Sequence, residues 1–131
     1  MTRKTINPWS WQEKFGYVQA NEVSHPQRML FCAGVVPVDR NGEILFSDNM
    51  DKQIHQIFNN LEIILQEADM KLSDVVRLTY YTTDIEQFKR SFHVVLDRLD
   101  AGDCNPSTSL IGVASLYHPE CSVEFEATAV I

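Results

Sequence analysis

The sequence predicts a single domain in which two α-helices cover one face of a mixed β-sheet. Apolar residues recur at helical spacing in two stretches, β-branched and aromatic residues concentrate in several short runs, and the resulting element order is ββ(β)αβαββ. Each helix joins two strands, which favours right-handed crossovers and a sheet with both parallel and antiparallel pairs. A length of 131 residues, of which 44% are hydrophobic, fits one globular domain over residues 1–131.

The segments before the first helix are predicted to be strands. A short strand is expected over residues 17–20 and a longer one over residues 28–38. The dipeptide Asn41-Gly42 is typical of a tight turn, so we expect a hairpin that leads into residues 43–46.

Two helices follow, with one strand between them. Apolar residues at helical spacing predict a helix over residues 50–68, and residues 47–49 are of types that commonly start helices. Residues 75–83 are rich in β-branched and aromatic side chains and predict a strand. Asp84 resembles an N-terminal cap, and the apolar stripe after it predicts a second helix that ends before Gly102.

The last part of the chain predicts two strands, over residues 108–116 and 121–130, joined by a short polar turn. Alternation in the second strand places Glu124, Glu126 and Thr128 on one face and apolar residues on the other. Two like charges on one face are tolerable only where that face is hydrated, paired or functional. Glu124 and Glu126 therefore belong to a face that is either functional or solvated, and for Glu124 the pattern alone favours a solvated carboxylate on an edge strand.

The face of the sheet opposite the helices is predicted to be buried between subunits. Two helices can cover only one face of such a sheet. The central strand is nevertheless apolar on both sides, with Val76, Leu78 and Tyr80 on one and Val75 and Tyr81 on the other. Uncovered apolar sheet is unfavourable in a monomer, so we expect the chain to self-associate.

Composition narrows the classes of partner. The net charge of −7 and the scattered basic residues disfavour a nucleic-acid partner, because such binding depends on clustered positive charge. The most apolar window, residues 29–38, is too short to span a bilayer. The three cysteines form no CxxC pair, which favours a reducing compartment. Together these observations predict a cytoplasmic protein with no membrane partner and with a small-molecule ligand or a protein partner.

Motifs for metal or cofactor chemistry are not evident in the sequence. His118, Glu120 and Cys121 come nearest to a metal cluster, but they crowd into one turn and no second cluster supplies further ligands. The chain carries no Ser-His-Asp signature, no Gly-rich phosphate loop and no HExxH motif. We therefore predict no metal site.

Several blocks of sequence stand in a characteristic order. They are FGYVQ at residues 15–19, AGVVP at 33–37, NNL at 59–61, SDVVRLTYYTTDIEQF at 73–88 and VEFEA at 123–127. In this order and spacing the chain resembles the reactive intermediate deaminase family, also called Rid, YjgF or endoribonuclease L-PSP. The resemblance covers nearly the whole chain from residue 15 onward.

This resemblance implies a chorismate-mutase-like (YjgF-type) α+β fold, a homotrimer and ligand pockets in the clefts between subunits. Many members of the family hydrolyse reactive enamines and imines to 2-oxo acids and ammonia, and they need no metal or organic cofactor. The matching positions imply that Glu124 is the catalytic carboxylate and that Tyr17, Gly34 and Thr108 bind substrate. The alternatives are an ordinary half-buried tyrosine at Tyr17 and an ordinary strand threonine at Thr108.

One position departs from the family pattern. The family carries an arginine in a P-x-R-S motif that clamps the substrate's carboxylate, and here Thr108 stands in its place. Ala33 and Val35 likewise replace a serine and a glutamine. A buried carboxylate left without its cation typically costs about 3–5 kcal/mol, so activity on 2-imino acids is expected to be weak or absent.

Three functions follow from these observations. The first is an enamine or imine deaminase that depends on Glu124. The second is a non-catalytic ligand-binding or regulatory trimer, which the more apolar residues Ala33, Val35 and Thr108 favour. The third is ribonuclease activity, which has been attributed to some relatives and which the acidic charge disfavours.

Overall fold

The computed structural model describes residues 1–131, and its regular elements form two sheets and three α-helices. The elements are β1 (Thr2–Ile6), β2 (Ala20–Ser24), β3 (Met29–Phe31), α1 (Met50–Glu67), β4 (Val75–Thr82), α2 (Ile85–Arg90), α3 (Phe92–Ala101), β5 (Ser107–Gly112) and β6 (Val123–Val130). Short 3-10 helices cover Glu13–Phe15 and Leu72–Asp74.

The main sheet is mixed, as predicted. Its strand order is β3-β6-β4-β5, with β4 and β5 parallel and β6 antiparallel to both of its neighbours. The parallel pair requires a crossover, and α2 and α3 provide it. The core lies between this sheet and the helices, where Phe58 of α1 packs edge-on against Phe125 of β6.

The helices begin where the sequence predicts. The Asn49 side chain accepts a hydrogen bond from the amide of Lys52 at 3.0 Å, and α1 ends within one residue of the predicted position. Asp84 caps α2 in the same way. The predicted second helix is divided at the buried Ser91, whose amide donates to carbonyls of α2 while α3 begins at the next residue. Gly102 follows α3 as expected.

The prediction of a first strand over residues 17–20 is wrong. The strands that form are β1 and β2, which pair with each other in a separate antiparallel ribbon. Both are largely polar, so they carry little of the apolar pattern that identifies strands. Arg3 fixes the ribbon on the main sheet, because its guanidinium donates to the carbonyls of Ser73, Val75 and Asn105.

The strand predicted over residues 28–38 is interrupted. Only β3 pairs continuously, and beyond it Val35 and Val38 form isolated bridges. Pro37 lacks an amide hydrogen and cannot extend a ladder. The predicted turn is present, since Gly42 has a φ of 82° and the Asp39 carboxylate accepts from the amides of Asn41 and Glu43, but residues 43–46 form no strand.

Two further strand details differ from the prediction. The strand expected over residues 108–116 ends at Gly112, and the following loop delays the last strand to Val123. A register shift between Val75 and Arg77 places Val75 in the core, on the same side as Leu78 rather than opposite it. Strict alternation of side chains therefore fails at the start of β4.

The face of the sheet opposite the helices is uncovered, as predicted. The apolar side chains of Met29, Phe31 and Ile111 on this face are 52%, 71% and 41% exposed. Alternation along β6 leaves Glu124, Glu126 and Thr128 on the same face. No helix combines the length and apolar character that crossing a membrane requires.

Candidate functional site

The uncovered face carries two carboxylates, Glu124 and Glu126, two residues apart on the central strand β6. Glu124 is partly buried and Glu126 is exposed. The Tyr81 hydroxyl on the neighbouring strand donates to Glu126 Oε1 at 3.4 Å. The two carboxylates thus differ in environment although they share a face, and Glu124 lies in the drier one.

Partial burial raises the pKa of the Glu124 carboxyl above its ordinary value, and the negative charge of Glu126 raises it further. A carboxyl group whose pKa is raised is a more effective proton carrier near neutral pH than an exposed glutamate.

Gly34 lies directly against this carboxylate. A Cβ atom at position 34 would stand 2.6 Å from Glu124 Cδ and 2.7 Å from its Oε2, closer than any side chain can approach. The next residue anchors the contact, because the Val35 amide donates to the Phe125 carbonyl at 2.6 Å and the Val35 carbonyl accepts from the Phe125 amide at 3.0 Å. The absence of a side chain at position 34 therefore makes room for the Glu124 carboxylate.

Tyr17 and Thr108 line a different part of the molecule. Both contribute to a cavity of about 690 Å³ on the helix side of the sheet, between β5, α3 and the segment before β2. Thr108 lies beside Leu78 in register, so its side chain projects on the same face as the core. The amide of Val18 donates to the Pro106 carbonyl at 3.0 Å and holds the tyrosine segment against the start of β5.

The four predicted site residues therefore form two pairs within one chain. Tyr17 and Thr108 share the cavity on the helix side, and Gly34 and Glu124 meet on the uncovered face. The sequence predicts that all four line one pocket formed between adjacent chains. The structure of a single chain supplies the two halves and does not join them.

The rest of the cavity wall was missed by the sequence analysis. Aromatic rings of Phe15, Tyr80 and Phe92 form part of it, and the charged or titratable residues are Lys14, Lys89 and His93. A helical spacing of four between residues 89 and 93 was visible in the sequence. The sequence could not show that the segment around residue 14 lies beside α2 and α3 and lines the same cavity.

Side chains near the C-terminal turn are occupied with local contacts. His118 Nδ1 accepts from the Glu120 amide at 3.1 Å, and the Cys121 thiol donates to the Val123 carbonyl at 3.2 Å. No group of three or more His, Cys, Asp or Glu side chains lies close enough together to hold a metal ion.

The order of strands in the main sheet, with helices on one face and an uncovered face opposite, defines a YjgF-type α+β protein. The family model described as Endoribonuclease L-PSP matches residues 12–131. The chain belongs to this family, which confirms the resemblance to the Rid and YjgF proteins noted in the sequence.

Individual relatives agree with this assignment. A RutC family protein of Aquifex aeolicus is 32% identical over 115 residues, which cover 87% of each protein. The crystal structure of YyfB from Yersinia pestis, a protein of the conserved Rid family, matches with a TM-score of 0.88 at 30% identity over the full length of both chains. The structure of E. coli TdcF with bound serine matches with a TM-score of 0.72 at 27% identity, covering 88% of this chain and 87% of that one.

Proposed function

We propose that the protein is a homotrimer that acts on a small metabolite in the clefts between its subunits, and that its reaction is the hydrolytic deamination of an enamine or imine. In each cleft Tyr17 and Thr108 of one copy face Gly34 and Glu124 of the next. The observation that carries this proposal is the partly buried Glu124, whose pKa is raised and which faces Gly34 on a sheet surface that has no other cover.

The chemistry requires one carboxylate and a held water. An imine carbon becomes strongly electrophilic once its nitrogen is protonated. Protonated Glu124 first gives its proton to the imine nitrogen. The resulting carboxylate accepts a proton from water as the water oxygen bonds to the carbon and the second carbon–nitrogen bond becomes a lone pair on nitrogen, and it then returns this proton to the amine nitrogen. The new hydroxyl group gives its remaining proton to the carboxylate as the last carbon–nitrogen bond breaks, so that ammonia leaves, a carbonyl group remains and Glu124 is protonated again. No metal or organic cofactor enters these steps.

The cleft lacks the arginine that would clamp a substrate carboxylate at position 108. Thr108 offers a hydroxyl and a backbone amide but no charge. An unpaired buried carboxylate costs about 3–5 kcal/mol. With no cation at position 108 to hold their carboxylate, 2-imino acids should therefore react slowly. Substrates without a carboxylate beside the imine, or with an anion held elsewhere, fit this site better.

An assay that follows ammonia release from several short-lived imines tests this proposal. The panel should include imines that lack a carboxylate. We expect a rate above that of buffer for at least one of them, and we expect Glu124→Gln to remove it while Glu126→Gln keeps most of it. Equal rates with and without the protein across the panel would overturn the proposed reaction.

Mixing two inactive variants tests whether the site is shared between copies. Glu124→Gln and Tyr17→Ala each damage one half of every cleft. When the two variants are unfolded together and refolded as mixed trimers, some clefts combine intact halves from different subunits. Recovery of activity only on co-refolding supports the shared cleft, and no recovery from two correctly assembled variants contradicts it.

A second candidate is a non-catalytic ligand-binding trimer on the same scaffold. The apolar replacements Ala33 and Val35, together with Thr108, favour it. The related structure of TdcF carries bound serine, so this fold can hold a small ligand. A thermal-shift screen of small metabolites separates the two candidates, because binding without turnover supports the second.

Ribonuclease activity is a third and weaker candidate. The family's description names it, but a net charge of −7 opposes binding to a phosphate backbone. RNA cleavage that survives purification and disappears in Glu124→Gln would support it.

A further inference from the structure

The cavity that contains Tyr17 and Thr108 is cationic, in a protein that is strongly acidic. The chain has 18 Asp and Glu residues against 11 Lys and Arg residues. The cavity wall nevertheless includes Lys14 and Lys89 and no Asp or Glu side chain. His93 also lines it, with its Nε2 atom 3.6 Å from Asp51 Oδ2, which is not part of the wall. A wall of one sign favours a ligand of the opposite sign, even where the protein as a whole repels it.

Neither lysine is committed to a strong partner elsewhere. Lys89 Nζ lies 3.7 Å from Glu86, but both side chains are mainly exposed and such a pair contributes little. Lys14 Nζ lies 5.1 Å from the centre of the Phe15 ring, an arrangement that leaves its hydrogen-bond donors free. Both ammonium groups are therefore available to an anion at the cavity.

The remaining wall is aromatic. Phe15, Tyr17, Tyr80 and Phe92 line the cavity, and the rings of Tyr80 and Phe92 meet edge-on at 6.0 Å. The Tyr80 hydroxyl is buried and has no hydrogen-bond partner, and burial raises the pKa of this phenol, so it stays neutral. Flat apolar molecules pack well against such rings.

We propose that this cavity selects an aromatic carboxylate, whose ring packs against Phe15, Tyr17 and Phe92 and whose anion is held by Lys14 and Lys89. The two lysines thereby replace the arginine that is missing at position 108. This inference rests on the proposed function only in placing the ligand in the same cleft, and it adds the class of ligand and the residues that anchor it.

Calorimetric titration of the full-length protein at low salt tests the inference with three probes. Phenylacetate has both ring and charge, phenylacetamide has the ring without the charge, and acetate has the charge without the ring. We expect phenylacetate to bind about tenfold more tightly than phenylacetamide, since each exposed ion pair contributes a few-fold, and we expect acetate to show no binding. Equal affinity for phenylacetate and phenylacetamide would overturn the proposal.

A pair of double variants assigns the effect to the cavity. Lys14→Gln/Lys89→Gln should remove most of the preference for the charged probe. Lys4→Gln/Lys71→Gln removes the same charge from exposed positions that do not line the cavity, and it should keep that preference. An equal loss in both double variants would mean that net charge alone is responsible, and the proposal would fail.

The test also separates this inference from the proposed reaction. Glu124→Gln keeps both lysines and the aromatic wall and removes a negative charge that faces the cleft, so it should keep or increase the preference for phenylacetate over phenylacetamide while losing turnover. Absence of turnover with a retained preference for phenylacetate contradicts only the proposed reaction. Turnover without any preference for the charged probe contradicts only the aromatic carboxylate.

Discussion

Glu124 illustrates how a single residue can serve function at the expense of stability. Burial and the charge of Glu126 raise the pKa of its carboxyl in the folded protein above that in the unfolded chain. The folded state therefore binds this proton more tightly. The resulting stabilisation is fully present below the unfolded pKa and is lost as the pH rises through the folded pKa. At neutral pH the ionised Glu124 is a cost to folding.

Glu124→Gln should therefore raise the melting temperature at pH 7 to 8 and change it little below about pH 3.5, where the carboxyl is mostly protonated in either state. Melting curves across this pH range measure the effect. Glu126→Gln is the matched variant, because it removes the charge that is the second cause of the raised pKa of Glu124. The pKa of Glu124 should then fall, and any activity that requires ionised Glu124 should extend to lower pH. A lower melting temperature for Glu124→Gln at pH 8 would contradict this account.

Thr108 is the residue at which the chain departs most clearly from its family. Its side chain already lines the cavity beside Tyr17, so a guanidinium at this position would reach the space that a substrate carboxylate occupies. We expect Thr108→Arg to raise turnover of 2-imino acids by about tenfold or more. Thr83→Arg places the same group on an exposed position outside the cavity and should have no effect. A folded Thr108→Arg trimer without any gain would mean that more than the clamp is missing.

The residues of the site differ in how far the sequence could predict them. The position of Glu124 could be predicted because alternation along β6 is strictly local. The positions of Lys14 and Lys89 could not be predicted, because the two residues line one cavity only when the segment before β2 packs against the crossover helices. The contact between Gly34 and Glu124 depends on a single β-bridge between Val35 and Phe125. No local sequence pattern predicts this bridge.

At the scale of elements, local sequence patterns predicted the helices and strands that have a capping residue or a buried apolar face. The helix α1 has both an apolar stripe and the Asn49 cap, and its predicted bounds hold within one residue. The ribbon of β1 and β2 has neither, because its side chains are mainly polar and its attachment depends on Arg3. Alternation did not predict the faces at the start of β4, because the register shift between Val75 and Arg77 depends on pairing with β6 rather than on local sequence.

Gly16 lies between the 3-10 helix Glu13–Phe15 and the site residue Tyr17, and its substitution tests how much its backbone conformation contributes to stability. It ends the 3-10 helix Glu13–Phe15 with a φ of 72°, and a Cβ atom there would stand 2.6 Å from Leu96 Cδ2. Gly16→Ala should therefore cost about 2 kcal/mol or more, combining the backbone penalty with the clash, and should displace the adjacent Tyr17. Urea unfolding measures the first effect, and ligand binding measures the second.

Gly42→Ala is the control for this substitution. Gly42 also has a positive φ, of 82°, but no atom lies within 4 Å of the position that its Cβ would occupy. The variant should lose only the backbone penalty of about 1–2 kcal/mol and should bind ligand normally. Equal losses in the two variants would show that the contact with Leu96 has no energetic weight.

At the scale of the whole molecule, the uncovered sheet face and the divided site have one explanation. A monomer would expose Met29, Phe31 and Ile111 to water and would leave Glu124 outside the cavity that Tyr17 and Thr108 line. In the proposed trimer, assembly of copies through this face would remove the apolar surface from water and would complete each cleft with the half that the other copy supplies. Folding stability and the proposed chemistry would then depend on the same association.

Phe31→Lys tests this association directly. Phe31 is 71% exposed on the uncovered face, and a lysine there would bring like charges together in a symmetric assembly and would lose the burial of a large apolar side chain. We expect the wild type to sediment as a trimer at micromolar concentration and Phe31→Lys to shift toward monomer. Ile63→Lys changes a residue that is 60% exposed on α1, on the helix side, and should leave the trimer intact. A wild-type monomer, or equal dissociation of both variants, would contradict the role of the uncovered face, and the shared cleft would have to be abandoned with it.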